Sequence, residues 1–244
     1  MYSFRTTSGP VELAFTDRLG GVSVAPYDEL DLALEGDDVG RARTENHRLL
    51  LADFAPDDEL CDLHQVHGAT VALIEDDEPT SRPDADGIVT TGAGRTLMVR
   101  AADCVPVLLA DPGARVIGAA HAGRLGVVRG VVPATVERMR DVGARDLVAW
   151  IGPHICGGCY EVPAAMQAEV VAAEPATRAT TTWGTPALDL GAGVAAQLER
   201  AGVSVQWAAR CTRESTDLFS FRRDGEHAGR LAGVIRLSPA GAER

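Results

Sequence analysis

The sequence predicts a single α/β domain built on mixed β-sheets flanked by helices. Three observations carry this. At 244 residues the chain can bury one substantial core. Strand-like apolar runs alternate with segments of helical period. No linker-like composition separates them, so one domain is expected over residues 1–244.

In chain order, residues 2–16 read as two short strands around Ser8-Gly9-Pro10, and Asp17-Arg18-Leu19-Gly20-Gly21-Val22-Ser23 as a glycine loop carrying one Arg. Residues 37–54 read as a helix. Asp37 or Asp38 is placed to cap it, and Val39, Ala42, Leu49, Leu50 and Phe54 supply an apolar stripe. The alternation from Leu60 predicts a strand ending at Gly68, followed by another over 69–74. On such a strand His64 and His67 point to opposite faces. Residues 75–83 form an acidic, Pro-bearing loop, and 86–90 and 97–102 are strands.

Residues 105–109 and 116–117 are apolar and flank Asp111-Pro112-Gly113-Ala114, which is turn chemistry. A hairpin tip between Pro112 and Gly113 sets Cys104 directly opposite His121. Opposed residues share a face, so the thiol and imidazole can hold one metal or act as nucleophile and base. A buried Cys facing a hydrogen-bonded His is the purely structural alternative.

A helical pattern follows His121 to about residue 142, with Pro133 either kinking it or opening a second helix. Arg124 stands at that glycine-flanked junction, where free helix N–H groups can receive an anion. Residues 147–152 are a strand. Cys156 and Cys159 have C-x-x-C spacing, but a zinc knuckle needs a second ligand pair of similar spacing, and none is evident. Residues 163–174 and 189–201 are helices, the second closed by Gly202, with a Thr-rich connector over 175–188. A strand over 203–208 and a final strand over 231–237 complete the chain. Between them, Phe219 and Phe221 beside Arg222 and Arg223 can stack a base and hold phosphate, or form an edge strand with Phe inside and Arg in water.

The net charge of −12 argues against a nucleic-acid surface and against docking on anionic membranes. It leaves room for a small anionic substrate held by local Arg groups. Every basic side chain is Arg. Five cysteines, no export pattern at the N-terminus and no membrane-length apolar run give a cytoplasmic expectation with reduced thiols.

Nine segments together resemble one family, the YfiH/YlmD-type laccase-domain family, also called the purine nucleoside phosphorylase / polyphenol oxidase family. They are Thr16-Asp17-Arg18-Leu19-Gly20-Gly21-Val22-Ser23, Gln65-Val66-His67-Gly68, Ala85-Asp86-Gly87, Ala102-Asp103-Cys104-Val105-Pro106, His121-Ala122-Gly123, Ile151-Gly152-Pro153, Cys159-Tyr160-Glu161-Val162, Cys211-Thr212, and Phe219-Ser220-Phe221-Arg222-Arg223-Asp224-Gly225. The resemblance implies sheets and helices layered α-β-β-α, and a Zn2+ site made by His67, Cys104 and His121. It implies phosphorolysis of adenosine, inosine, guanosine or methylthioadenosine to base and ribose 1-phosphate, with adenosine deamination in some members. A copper-dependent polyphenol oxidase is the older implied activity, but six histidines cannot build its trinuclear centre.

On this reading Cys104, His121 and Asp103 are the catalytic candidates. Arg18, Asn46, Gln65, Phe219, Arg222 and Arg223 are the candidate contacts to purine nucleoside and phosphate, with Phe221 and Arg124 beside them. The protein is expected to act as a monomer or homodimer. The chain departs from the family in three places. Arg124-Leu125 stands where Trp-Arg is usual, Asn46-His47-Arg48 where Asn-Arg is usual, and Ala228-Gly229-Arg230 where Thr-Gly-Arg is usual. A metal-free cysteine hydrolase is the rival enzyme reading, since the fold resembles that of the cytotoxic necrotizing factor toxins with their Cys–His pair. A non-catalytic nucleotide-binding protein is the rival outside enzymology.

Overall fold

A computed structural model describes residues 1–75 and 82–238. The predicted acidic loop therefore lies partly outside the described residues. In chain order the elements are β1 (Tyr2–Ser8), β2 (Val11–Thr16), α1 (Gly40–Phe54), β3 (Glu59–Cys61), β4 (Val71–Ile74), β5 (Gly87–Thr90), β6 (Arg95–Ala101), β7 (Val105–Asp111), β8 (Val116–Ala122), α2 (Arg124–Arg129), α3 (Val131–Asp141) and β9 (Val148–Ile151). There follow α4 (Ala164–Ala173), β10 (Arg178–Thr180), β11 (Pro186–Leu188), α5 (Leu190–Arg200), β12 (Ser204–Trp207), α6 (Phe221–Asp224) and β13 (Leu231–Leu237).

Two mixed sheets stack face to face. One runs β1-β2-β13-β6-β3, the other β12-β9-β7-β8-β5-β4. Three apolar layers hold the stack. Phe15, Leu97, Val99 and Ile235 of the first sheet meet Ile88, Leu108, Ile117 and Trp150 of the second. Leu50 and Phe54 of α1 cover the outer face of the first sheet, against Ala14, Met98 and Val234. Residues of α2, α3 and α5, including Val127, Val136 and Val194, cover the outer face of the second, against Val107, Leu109 and Ala149. This is an α-β-β-α layering, and the central strands β5, β6, β7 and β8 are buried on both sides. Strands β7 and β8 accordingly read as continuous apolar runs rather than alternating ones.

Several boundaries differ from the sequence reading for local reasons. Helix α1 begins at Gly40 with Val39 as an uncapped N-cap. The Asp38 carboxylate instead accepts from the Ser23 hydroxyl and the Val39 N–H. Val39 is exposed, and the buried face of the helix is Asn46, Leu50 and Phe54. The strand expected to run to Gly68 stops at Cys61, and an irregular segment leads to β4. The Thr-rich connector contains the β10–β11 hairpin, and 221–224 is a short helix rather than an edge strand. Gly130, in a left-handed conformation at φ 78°, separates α2 from α3 and leaves Pro133 inside the first turn of α3. No described helix is long and apolar enough to cross a membrane.

The hairpin register also differs. Pro106, not Cys104, pairs with His121. The loop is longer than a two-residue turn because Arg115 takes a left-handed φ of 54° and the Asp111 side chain accepts the Ala114 N–H. Every pairing moves by two residues. An even shift keeps the pleat in phase, so the face shared by Cys104 and His121 survives.

Phe15 is 1 % exposed, and its ring occupies the space where a side chain on Gly152 or Gly233 would stand. Phe15→Ala is expected to cost about 3–5 kcal/mol, read as a lower urea midpoint with an unchanged slope.

Candidate metal centre

Three side chains from three different segments converge at one end of the second sheet. His67 lies in the irregular stretch before β4, Cys104 immediately precedes β7, and His121 sits in β8. Their donor atoms all lie within 4.8 Å of one another. Cys104 Sγ is 3.9 Å from His67 Nε2, and the two imidazole rings stand edge to face with centroids 4.8 Å apart.

Asp86 sets this geometry. Its carboxylate is fully buried. One oxygen receives the His67 N–H at 3.0 Å and His121 Nδ1 at 2.8 Å; the other receives the N–H groups of Val66 and Gly68 at 3.2 and 2.6 Å. The chain can therefore turn at His67, whose φ is 56°, without leaving its amides unpaired. The Arg129 guanidinium donates to the His67 carbonyl from the other side. With Nδ1 bound to Asp86, His121 presents Nε2 to the site, as in a carboxylate–histidine–metal triad.

Gly123 closes the arrangement. A Cβ there would stand 2.7 Å from His67 Cδ2 and 3.0 Å from Cys104 Sγ, so the backbone can approach the ligands only as glycine.

The electrostatics suit a thiolate. Burial pushes the Cys104 thiol up, but the His121 and His67 imidazoles outweigh it and hold the pKa at about 6. Burial pulls His121 down, and the Cys104 thiolate and Asp86 outweigh that, raising it to about 9. Two imidazole nitrogens and one thiolate form a donor set that borderline-soft divalent metals accept. The three residues thus form a possible metal-binding group, with one side open to a cleft of about 540 Å³.

The cleft sorts the other sequence candidates. Gln65, Asp103, Arg124, Phe221 and Arg222 line it; Arg18, Asn46, Phe219 and Arg223 do not. Gln65 exchanges two 2.8 Å hydrogen bonds with the backbone of Arg100, which completes the strand edge. Asp103, at φ 86°, accepts the Thr212 hydroxyl and the Arg222 N–H, so its carboxylate joins three segments at the site's rim. Asn46 is fully buried, accepts the Val22 N–H, and donates to Ser23, Glu29 and Asp31. Arg18 donates to the carbonyls of Asp28 and Pro26 and stacks over the buried Phe219 ring. Arg223 donates to four carbonyls between Thr212 and Leu218.

Among the lining residues outside the sequence candidates are Tyr160 and Arg100. Tyr160 sits under the Arg222 guanidinium, 4.9 Å from its ring centroid. Burial raises its pKa, and it lies within electrostatic range of Cys104 and Arg124. Arg100 is 5 % exposed and leaves Nη1 without a hydrogen-bond partner. Arg100 carries no local pattern that marks it, whereas Tyr160 lies in the Cys159-Tyr160-Glu161-Val162 segment and Asp86 in the Ala85-Asp86-Gly87 segment of the resemblance.

Comparison with known proteins shows the family and the fold. The family described as multi-copper polyphenol oxidoreductase laccase matches residues 12–238. A purine nucleoside phosphorylase of Streptomyces coelicolor is 51 % identical over 245 residues, covering 97 % of this chain and 100 % of the relative. A Neisseria meningitidis protein of known structure superposes with a TM-score of 0.86 at 28 % identity, covering 97 % of this chain and 99 % of that one. YlmD from Geobacillus stearothermophilus gives 0.82 at 28 % identity, covering 94 % and 93 %.

Two outcomes follow for the centre. Asp86→Asn is expected to lower metal affinity about 10–100-fold, measured by competition with a chromogenic chelator. In metal-stripped protein, Cys104 alkylation by iodoacetamide should rise with pH through about 6, because the thiolate predominates above its lowered pKa. Mapping the labelled peptide across pH checks this.

Proposed function

The chain belongs to the laccase-domain family of YfiH and YlmD, and on that premise we propose that it is a zinc-dependent purine nucleoside phosphorylase. The carrying observation is the juxtaposition of the His67–Cys104–His121 group with Arg124 and Arg222 around one cleft. The naming of similar proteins as purine nucleoside phosphorylases supports the same reading.

His67, Cys104 and His121 would hold the ion. Zinc fits the set better than a multicopper centre, because two of the six histidines share a metal-capable group among the described residues. When bound, the ion supplies a Lewis acid facing the cleft.

The chain's own residues supply the rest. Arg124 has no hydrogen-bond or ion-pair partner among the described residues, so its guanidinium is free to take phosphate. Arg222 is aimed by Asp103 at its N–H and by the Glu161 carbonyl at Nη1. Two cations on one wall favour an anionic co-substrate in spite of the negative overall charge. Phe221, 48 % exposed, offers its ring to a purine. Asp103 is a positioning residue on this account, since both carboxylate oxygens are engaged. Adenosine deamination in the same cleft is part of the proposal, as is a cytoplasmic setting.

One observation favours a second reading. The lowered pKa of Cys104 beside His121 is also what a metal-free thiol hydrolase needs. Rapid alkylation of Cys104 in protein as purified, with its metal content undisturbed, would support that reading over zinc.

Adenosine incubated with zinc-loaded protein is expected to give adenine only when phosphate is present, with Cys104→Ala inactive, by mass spectrometry. Inosine formed without phosphate would establish deamination. No product in either tube, with zinc binding to the protein verified, would remove the nucleoside reading. Arg222→Ala is expected to raise the KM for phosphate about 10–100-fold, as for loss of a charge-assisted hydrogen bond.

A further inference from the structure

A second group of metal-capable side chains lies outside the cleft. We propose that Cys156, Cys159, Cys211 and Glu214 form a separate, thiolate-rich Zn2+ site that clamps the two segments bearing them. The sequence reading found no partner pair for Cys156 and Cys159. The partner pair exists at the same spacing, as Cys211-x-x-Glu214, and a search for paired cysteines passes over it because its second member is a carboxylate.

The backbone builds both halves alike. The Cys156 carbonyl accepts the N–H groups of Cys159 and Tyr160, and the Cys211 carbonyl accepts the Ser215 N–H. Each turn folds the side chains at the first and fourth positions to the same side. A parallel bridge between His154 and Cys211 sets the two turns face to face. The three sulfurs and the carboxylate then lie within 4.8 Å of one another. Cys159 Sγ is 3.3 Å from Glu214 Oε1, and the Cys156 N–H points at Cys211 Sγ from 3.5 Å. A tetrahedral zinc with Zn–S near 2.3 Å needs ligand–ligand edges of roughly 3.5–3.8 Å. A contraction of about 1 Å or less at the longest edge therefore suffices.

The chemistry points to a cation rather than to chance packing. Three sulfurs and a carboxylate face one another, and among the described residues no ion pair takes the Glu214 carboxylate. A divalent ion would displace the three thiol protons to solvent and bind all four side chains. Sulfur-rich donors select zinc over the harder divalent ions.

The location gives the clamp a use. The first turn carries Ile155 and Tyr160 into the cleft wall. The second carries Thr212, whose hydroxyl binds Asp103 beside Cys104. The segment from 208 to 230 has four residues of α-helix and no strand, so little regular structure holds it.

The test is metal content with the first site removed. Cys104→Ala protein, purified without chelator, is expected to keep about one zinc per chain where the unaltered chain holds about two. Cobalt titrated into the zinc-stripped variant should give strong sulfur-to-cobalt charge-transfer absorption. Adding Glu214→Gln, a change at an exposed position that keeps the side chain's shape, should weaken cobalt binding by at least ~10-fold with an unchanged far-ultraviolet dichroism spectrum. Absence of zinc and of the charge-transfer band in Cys104→Ala protein that is folded by dichroism would overturn the proposal. So would an intact mass two hydrogens light, with the disulfide mapped to these cysteines.

Discussion

One buried carboxylate holds the candidate centre together. Asp86 has no exposure, and it draws together four donors that belong to two otherwise separate parts of the chain. A buried charge is tolerable only when its hydrogen bonds are made. Here the amides at 66–68 and the His121 ring make them. The same bonds bend the backbone at His67 into a left-handed turn, which costs about 1–3 kcal/mol for a non-glycine residue. The strained turn and the satisfied charge are therefore one device. Remove the carboxylate, and the turn loses its amide partners while His121 loses its orientation. The pKa of Asp86 is lowered accordingly, burial being outweighed by the His121 and Gly68 bonds, so the anchor stays charged at neutral pH.

Much of the fold was legible in the sequence because it depends on hydrophobic period. The final strand, the hairpin over 105–122 and the split helix after His121 follow from apolar runs and glycine punctuation. The failures fall where side chains rather than propensity decide the backbone. The strand expected through His67 breaks because Asp86, nineteen residues downstream by number, captures its amides. The hairpin tip moved because Asp111 and Arg115 stabilise a longer turn. The first is too distant in sequence to leave a local pattern, and the second is a side-chain bond within the turn that the Pro-Gly pair masks. The Cys104–His121 pairing nonetheless came out on the right face, since an error of two residues preserves pleat parity and an error of one would not.

The arginine candidates divide for a similar reason. A guanidinium carries five donors in a plane, and this protein repeatedly uses them to bind its own carbonyls. Arg18 and Arg223 hold loops that lack sheet partners. Arg124 and Arg222 face the cleft. In sequence, Arg222 and Arg223 are adjacent and indistinguishable. What separates them is that residue 223 points into the turn over 212–218, while the N–H of residue 222 is pinned by Asp103. Arg124 places a cation at the first position of α2, at the junction after Gly123.

The two metal-capable groups are also neighbours through single residues. Asp103 precedes Cys104, Thr212 follows Cys211, and the Thr212 hydroxyl donates to the Asp103 carboxylate at 2.5 Å. Asp103 in turn pins Arg222, which lies over Tyr160, one residue after Cys159. The cleft wall is thus a ring of short links between two clusters rather than an extension of either sheet. Such a wall gains its rigidity from side-chain bonds, each worth about 1 kcal/mol, or roughly twice that when charged. A ring of that kind is stiff while every link is made and opens where one is lost. Tight binding at the thiolate-rich cluster would hold the links near Tyr160 and Arg222 in place, and the open position beside His67, Cys104 and His121 would keep the shape a substrate requires.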